Sequence, residues 1–386
     1  MNIIINLIRI ITNNLFVFFL FFIPRYKNID KKLLLIKLEG IGDFIIFIPA
    51  LMRYKIMFPE YKITLLVDNK TNYQIAKRYE KEILDEIILL DSKKFSKSLF
   101  HRFFISKFLY KSNYDATIYQ TYYRRKIGDF LVKIAKSKEK ISFAGLSIER
   151  FKDFSSSNMY TKLIYIPKEI HNEFYRHKYF IEKISNKKFD NFITAFPIKE
   201  SDIINAKELL SQYKIDNNFV TIFPGAGRSV SKWPPEKFAK VIEYIMSKSI
   251  KIVILGSKTE ETIIKKIMES VSPQKAKDVI DLSGKTDIFI TAGIIKLSKF
   301  YFGNDSGPTH LSEAIGAMTI CPLGLGHFKE FYPSEDTEKT RVVNIKDMSC
   351  LNDQYACAKG LGREDPAPCV KNISVEAVLE EINKII

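Results

Sequence analysis

Three short segments of this 386-residue chain bring glycines together with charged or hydroxyl side chains in spacings that can do chemistry. The first is Glu39-Gly40-Ile41-Gly42-Asp43. Gly40 and Gly42 allow a sharp turn and close backbone approach to a ligand. Asp43 is either the N-cap of a helix running towards Phe58, or a carboxylate, ionised at neutral pH, that takes a proton from a hydroxyl. Pro49 would kink that helix or mark its true first turn. The second segment runs from Phe223 to Pro234 through Gly225, Gly227, Arg228, Ser229 and Lys232. Its glycine N–H groups and hydroxyls can cradle phosphate oxygens, while Lys232 or Arg228 neutralises charge on them. It lacks the Walker A spacing, and the alternative is a surface loop pinned by Trp233, the only tryptophan. The third is Gly303-Asn304-Asp305-Ser306-Gly307-Pro308-Thr309-His310. A helix start there offers free N–H groups and a positive dipole end to a diphosphate. Asp305 or Ser306 could equally serve as the cap alone, and His310 as a packed imidazole.

Two further groups need a partner to be informative. Gly256-Ser257-Lys258-Thr259-Glu260-Glu261 places Glu260 where a carboxylate can accept ribose hydroxyls, or merely favour a helix's first turn. Arg124, Arg125 and Lys126 can grip phosphate or carboxylate, or form a solvated cationic helix start. Cys350, Cys357 and Cys369 match no common zinc spacing. No clustered carboxylates suggest a divalent ion, so no metal is expected.

These segments need a frame that brings them together. Short apolar runs supply it: strands are predicted at Leu33–Leu38, Ile63–Val67, Glu86–Leu90, Ala116–Tyr119, Phe219–Phe223, Ile252–Leu255, Val279–Leu282, Phe300–Phe302 and Met318–Cys321. Amphipathic stretches lie among them, including Pro235–Lys248, Glu260–Ser270 and His310–Ile315, and Ser374 caps a predicted closing helix to Ile386. Strands rich in Ile, Leu and Val, bounded by helices, indicate parallel sheets covered on both faces. The fold class is therefore α/β, with two Rossmann-like doubly wound domains, and each segment above follows the carboxyl end of a strand. Residues 31–190 form the first domain and 191–386 the second, with a linker near Lys187–Glu200. Residues 91–112, rich in Lys, Ser and Phe, read as a helical insertion.

Charge separates the halves. Residues 1–190 hold 35 basic and 19 acidic side chains, whereas residues 191–386 hold 25 of each. The whole excess of +16 thus lies in the first half, which should bind something strongly anionic. A basic nucleic-acid-binding protein would share that number, but the first half carries no RNA-recognition aromatic signature. Apolar residues at 46% exclude a wholly disordered chain, and four cysteines are too few for a disulfide scaffold.

Residues 1–30 stand apart. Leu15–Ile23 is a clean apolar run of nine residues, too short for a roughly 30 Å hydrocarbon core, and no small-residue cleavage site follows. It reads as a helix in the membrane interface, as a terminal helix packed on its own domain, or as part of an uncleaved anchor.

Taken in order, Lys37–Asp43 with Pro49-Ala50-Leu51, Phe223–Pro234, Gly284-Lys285-Thr286 and Asp305-Ser306-Gly307-Pro308-Thr309-His310-Leu311 resemble glycosyltransferase family 9, the ADP-heptose:lipopolysaccharide heptosyltransferases. The resemblance spans roughly residues 32–325. It implies a GT-B fold in which the first domain takes the acceptor and the second the nucleotide-sugar, the two facing a central cleft. It implies Asp43 as general base and Lys232 as the phosphate-contacting lysine, with no cofactor. Gly225, Gly227, Arg228, Ser229, Glu260, Asp305, Ser306, Gly307, Thr309 and His310 would then bind the donor. Gly40, Gly42, Arg124, Arg125 and Lys126 would face an anionic lipid-linked saccharide. The expected partners are ADP-heptose, that acceptor and the inner-membrane surface, without nucleic acid, and the expected place is the cytoplasmic face of the inner membrane. Where the family often has an acid contacting the donor ribose, this chain has Lys258, with Glu260 two residues on; a different nucleotide-sugar, serving another surface glycan, is the alternative.

Overall fold

The structure, a computed structural model, describes residues 23–27, 29–145, 156–324, 330–332, 338–345 and 366–386. The apolar segment through residue 22, Cys350 and Cys357 lie outside the described residues. The chain divides into two compact units. One holds the chain up to Gly40, Ala50–Ile170 and Arg176–Asp190; the other holds Ile41–Pro49, His171–Tyr175 and Asn191–Ile386.

Each unit is built on a six-stranded parallel sheet. In the first, β1 (Lys31–Lys37), β2 (Tyr61–Val67), β3 (Glu86–Leu89), β4 (Ala116–Tyr119), β5 (Glu139–Phe143) and β6 (Lys162–Ile164) lie in the order β3-β2-β1-β4-β5-β6. In the second, β7 (Phe219–Phe223), β8 (Lys251–Ile254), β9 (Val279–Asp281), β10 (Tyr301–Gly303), β11 (Thr319–Pro322) and β12 (Thr340–Val343) repeat it as β9-β8-β7-β10-β11-β12. Strand order therefore reverses between β1 and β4, paired Leu33 to Ala116 through Ile36 to Tyr119, and between β7 and β10, paired Thr221 to Tyr301 through Phe223 to Gly303. Ligands of such sheets bind at the carboxyl ends of the strands beside this reversal. All four loops concerned are among the segments the sequence singled out.

Burial explains why the strands were legible where they were. Leu33 to Ile36 are at most 2% exposed, as expected of a strand covered on both faces. The first core joins Leu34, Ile36, Leu66, Tyr119, Leu131 and Val132. The second joins Val220, Ile222, Trp233, Phe238, Ile252 and Phe302. Strands β5, β6 and β12 were missed because each sits towards a sheet edge and carries a charged first or second residue that breaks the apolar run.

Helix α1 (Ile41–Met57) follows β1 directly. Its N-cap is Gly40, in extended conformation, with no side-chain cap bond. The capping role considered for Asp43 is thus corrected: Asp43 lies inside the first turn, where a carboxylate favours the dipole instead. Pro49 lies in the middle of the helix, not at its first turn. Residues 92–112 are helical, as Ser92–Lys97 followed by α2 (Leu99–Ser112), which Ser98 caps through the His101 N–H at 3.2 Å. Helix α3 (Gly307–Ala314) begins three residues before the predicted start. Ser374 accepts from the Ala377 N–H at 3.1 Å and caps Val375–Asn383, as its sequence predicts. Among the described residues no helix is long and apolar enough to cross a membrane.

Candidate functional site

In the second unit, one side chain joins the two loops at the reversal point. Asn304, fully buried after β10, accepts from the Trp233 N–H at 2.9 Å and donates to the Pro224 carbonyl at 2.7 Å. It thereby holds both ends of the Pro224–Trp233 loop against the start of α3. Trp233 is itself buried, its indole N–H donating to the Ile373 carbonyl at 3.1 Å and its ring lying edge-on to Phe302. The loop is therefore pinned by tryptophan at the carboxyl edge of the sheet, so pinning and a place at that edge do not compete.

Between those anchors the loop exposes what can meet a ligand. Gly227, Arg228 and Ser229 lie at the surface or half-buried, and Lys232 is half-buried at the end of a short 3₁₀ turn, Ser229–Ser231. The two glycines differ. A Cβ on Gly225 would collide with the Glu260 side chain and Phe223 ring, whereas one on Gly227 meets nothing within 4 Å. Gly225 is thus required by packing against Glu260. The Glu260 carboxylate accepts from the Ser257 N–H at 2.8 Å and from the Ser257 and Thr259 hydroxyls. It closes a capping box while remaining half-exposed.

At α3, Ser306 occupies the N-cap without a side-chain cap bond, its hydroxyl donating to the Asn304 carbonyl at 3.0 Å. Thr309 is fully buried and its hydroxyl also donates to Asn304 O, at 2.5 Å, with the Tyr301 hydroxyl 3.1 Å away. Thr309 therefore shapes the turn through Asn304. Burial raises the Tyr301 phenol well above its ordinary range, so it stays protonated. Pro308 has no N–H, which leaves the Ser306–Gly307 backbone as the outermost part of the helix start.

The same unit contains the first turn of α1. A Cβ on Gly307 would stand 3.0 Å from Ile41 Cβ, and one on Gly42 would stand 2.5 Å from His310 Cδ2. The starts of α1 and α3 are thus in van der Waals contact, and neither glycine can carry a side chain without a shift. Asp43, half-buried, follows immediately. The structure so brings Gly42, Asp43, Gly307 and His310 to one place. His310 is buried and stacked on Tyr332, with ring centroids 4.4 Å apart and planes 9° from parallel. Glu313 lies 3.3 Å from its Nδ1 but outside hydrogen-bond geometry, and both groups lack a hydrogen-bond partner among the described residues.

The first unit's reversal point is built differently. Glu39, after β1, accepts from the Thr121 hydroxyl at 2.6 Å and lies 3.3 Å from the buried Lys37 ammonium, while its backbone carbonyl accepts from Asn72 Nδ2 at 3.1 Å. Beside it the Tyr54 hydroxyl donates to Gln120 Oε1 at 2.6 Å, and Gln120 Nε2 donates to His177 Nδ1 at 3.0 Å. Burial, with Lys37 and Arg176 nearby, holds the His177 imidazole well below its usual pKa, hence neutral. Sequence reasoning passed over Asn304, Gln120 and His177, and gave Lys37 no role. Single polar residues at strand ends carry no periodic signal, though the strand-end position of Asn304 and Gln120 could have drawn attention to them.

The basic triplet does not act as a block. Arg124 is buried, its guanidinium donating to the Phe143 carbonyl at 2.5 Å, 3.3 Å from Asp129 and over the Tyr160 ring. Arg125 ties the Leu38 carbonyl at 2.8 Å to Asp68 at 3.2 Å. Of the three only Lys126 is exposed, at the start of the Lys126–Ala135 helix. Among the described residues no group of three or more His, Cys, Asp or Glu could hold a metal.

Comparison with known proteins follows the same lines. The family model for glycosyltransferase family 9 (heptosyltransferase) matches residues 132–371, a span that leaves out Lys37–Asp43. Lipooligosaccharide heptosyltransferase 2 of Campylobacter jejuni is 29% identical over 164 residues, covering 42% of this chain and 49% of that protein. Its Haemophilus ducreyi counterpart is 23% identical over 164 residues, covering 42% and 46%. The chain spans about half the length of the curated relatives it matches. Among solved structures, the Escherichia coli ADP-heptose lipopolysaccharide heptosyltransferase II superposes with a TM-score of 0.66 at 15% identity, over 92% of this chain and 98% of that one. The family 9 glycosyl transferase of Veillonella parvula gives 0.71 at 19% identity, over 94% and 99%. At these identities the likeness is one of fold, and the fold class is GT-B. With more than half of its length matched by the family model, this chain belongs to glycosyltransferase family 9.

Proposed function

We propose that the protein is an inverting, metal-independent glycosyltransferase that moves a heptose from ADP-heptose to the inner core of a lipopolysaccharide or lipooligosaccharide at the cytoplasmic face of the inner membrane. The observation that supports this reading is the contact of the α1 and α3 starts: Asp43 lies in the first turn of α1, and α3 opens with a helix start suited to a diphosphate. Family membership and the names of the relatives support the sugar and the acceptor class.

In this mechanism the acceptor hydroxyl oxygen attacks the anomeric carbon of the donor as the carbon–oxygen bond to the diphosphate breaks on the opposite face. Asp43 accepts the hydroxyl proton. Lys232 and the Ser306–Gly307 backbone take up the charge on the departing diphosphate, with Arg228 and Ser229 beside it. Gly225, Glu260, Thr309 and His310 shape the donor pocket through the packing and bonds described above, and Asp305 stands in the turn directly before the α3 N-cap. On the acceptor side Lys126 supplies exposed charge, while Arg124 and Arg125 hold the loop that carries it. General-base help contributes about 10²–10⁴-fold, and leaving-group stabilisation about 10²–10³-fold per donor.

The test is incubation with ADP-heptose and a heptose-deficient lipopolysaccharide core, with EDTA present, scored for ADP and a mass gain of one heptose. Failure to release ADP overturns the reading. One observation favours a second: the Glu260 carboxylate is engaged by Ser257 and Thr259, and Lys258 packs on Gly284 beside it. Turnover of another nucleotide-sugar, with none of ADP-heptose, would select a transferase for a different surface glycan.

A further inference from the structure

Helix α2 is turned against its own composition. Its inner face buries Arg102, Ser106 and Ser112 beside Leu109 and Tyr110, while Phe100, Phe104 and Phe108 are 73%, 50% and 41% exposed. Spacing of four residues puts these three rings on one stripe of the helix, and Leu99, 60% exposed, extends it at the N-terminal end. Two of them touch: Phe100 and Phe104 have centroids 4.4 Å apart, and Phe103 packs edge-on to Phe104. The inner polar residues are held in place. Arg102 donates to the carbonyls of Phe95 at 3.0 Å and Ser96 at 2.7 Å, so the helix cannot roll to hide its phenylalanines without stranding a guanidinium. An apolar stripe of this kind on a surface helix marks an interaction face.

Charge identifies what covers it. From Ser92 to Lys111 the sequence has Lys93, Lys94, Lys97, Arg102, Lys107 and Lys111 and no acidic residue. A second copy docking through the same face would oppose like charges across a two-fold axis. A bilayer with anionic headgroups offers both an apolar layer and the matching charge. The chain's path adds an independent argument. Tyr26 donates its N–H to the Lys111 carbonyl at 3.0 Å, Asn113 donates to the Tyr26 carbonyl at 3.0 Å, and Arg25 stacks on Tyr110 while bonding Ala135 O at 3.2 Å. Arg25 and Tyr26 are thus fastened to the C-terminal turn of the helix, and in sequence they directly follow the apolar run Leu15–Ile23 and Pro24.

We infer that α2 docks the protein on an anionic lipid bilayer, with Phe100, Phe104 and Phe108 entering the acyl boundary and the surrounding lysines on the headgroups. It rests on the proposed function only in supplying a reason to be at a membrane. The experiment is sedimentation of the full chain with vesicles of phosphatidylcholine alone and of phosphatidylethanolamine with one-quarter phosphatidylglycerol, comparing wild type with Phe100→Ser/Phe104→Ser/Phe108→Ser. Wild type should partition at least roughly tenfold better onto the anionic vesicles. The triple variant should lose about tenfold or more of that binding, keep its unfolding temperature, and transfer sugar to a detergent-dispersed acceptor at the wild-type rate. Undiminished vesicle binding by the triple variant overturns the inference. So does a fall of several degrees in its unfolding temperature, which would mean that the chain's own N-terminal segment covers the face, or a wild-type dimer that the variant dissociates. Phe104→Trp gives a second readout: its emission should shift to the blue and be quenched by brominated lipid, while buried Trp233 stays unaffected, and an unchanged spectrum counts against the inference. Absence of sugar transfer by the wild type, with its vesicle binding intact, would instead strike the proposed function alone.

Discussion

The two sheets share one strand order yet equip their reversal points in opposite ways. The β1/β4 point is a web of side chains in two linked groups, Lys37 with Glu39 and Thr121, and Tyr54 with Gln120 and His177. The β7/β10 point is mainly backbone, with one buried amide, Asn304, holding glycine-containing loops in register. Side-chain webs fix a rigid wall. Backbone loops clasped from behind are the kind that can offer N–H groups to an anionic ligand. One topology thus carries two kinds of surface, and the difference lies in a few residues at strand ends.

The sharpest way to break this comparison is Asp43→Asn. It should lower turnover by about 10²–10⁴-fold with nucleotide affinity nearly unchanged, measured as ADP release against a nucleotide titration. Lys232→Ala, on the backbone-built side, should cost about 10²–10³-fold in turnover and weaken nucleotide binding as well. Asn304→Ala strands the buried Trp233 N–H and should destabilise by about 1–3 kcal/mol with loss of nucleotide affinity. Gln120→Ala in the other web should cost a similar amount of stability and spare the nucleotide, as thermal unfolding with and without ADP would show. Smaller still, Gly225→Ala should impair nucleotide binding through the clash with Glu260, whereas Gly227→Ala should be nearly silent. Last is pH. His177 is kept neutral in the fold, so its contribution is complete above the unfolded imidazole's pKa of about 6.5 and is lost as pH falls below it. Wild type should lose stability relative to His177→Asn by at most about 1.4 kcal/mol per pH unit in that range.

Sequence carried the frame and the backbone-built loops further than the web. Leu33–Ile36 is apolar throughout, and Phe219–Ile222 is apolar but for the buried Thr221, because both faces are covered, and such runs are visible one residue at a time. Gly-Ile-Gly-Asp and Asp-Ser-Gly-Pro-Thr-His announce turns because their backbone demands are local. The web is different in kind. Gln120 and His177 are 57 residues apart and each alone is an ordinary polar residue, so only the fold makes them partners. Arg124 and Arg125 mislead for the same reason: adjacent in sequence, they serve the Phe143 and Leu38 carbonyls.

The Asn304 clasp has a consequence for anyone wishing to retune donor preference. Because one amide serves a partner in each direction, grafting either loop from a relative without its mate leaves a mismatched hinge pin, whatever the merit of the new residues. Variation that respects this lock must move both loops as a cassette. Otherwise it must stay outside them, at Lys258 and Glu260, where the capping turn offers side chains to exchange without unfastening the frame.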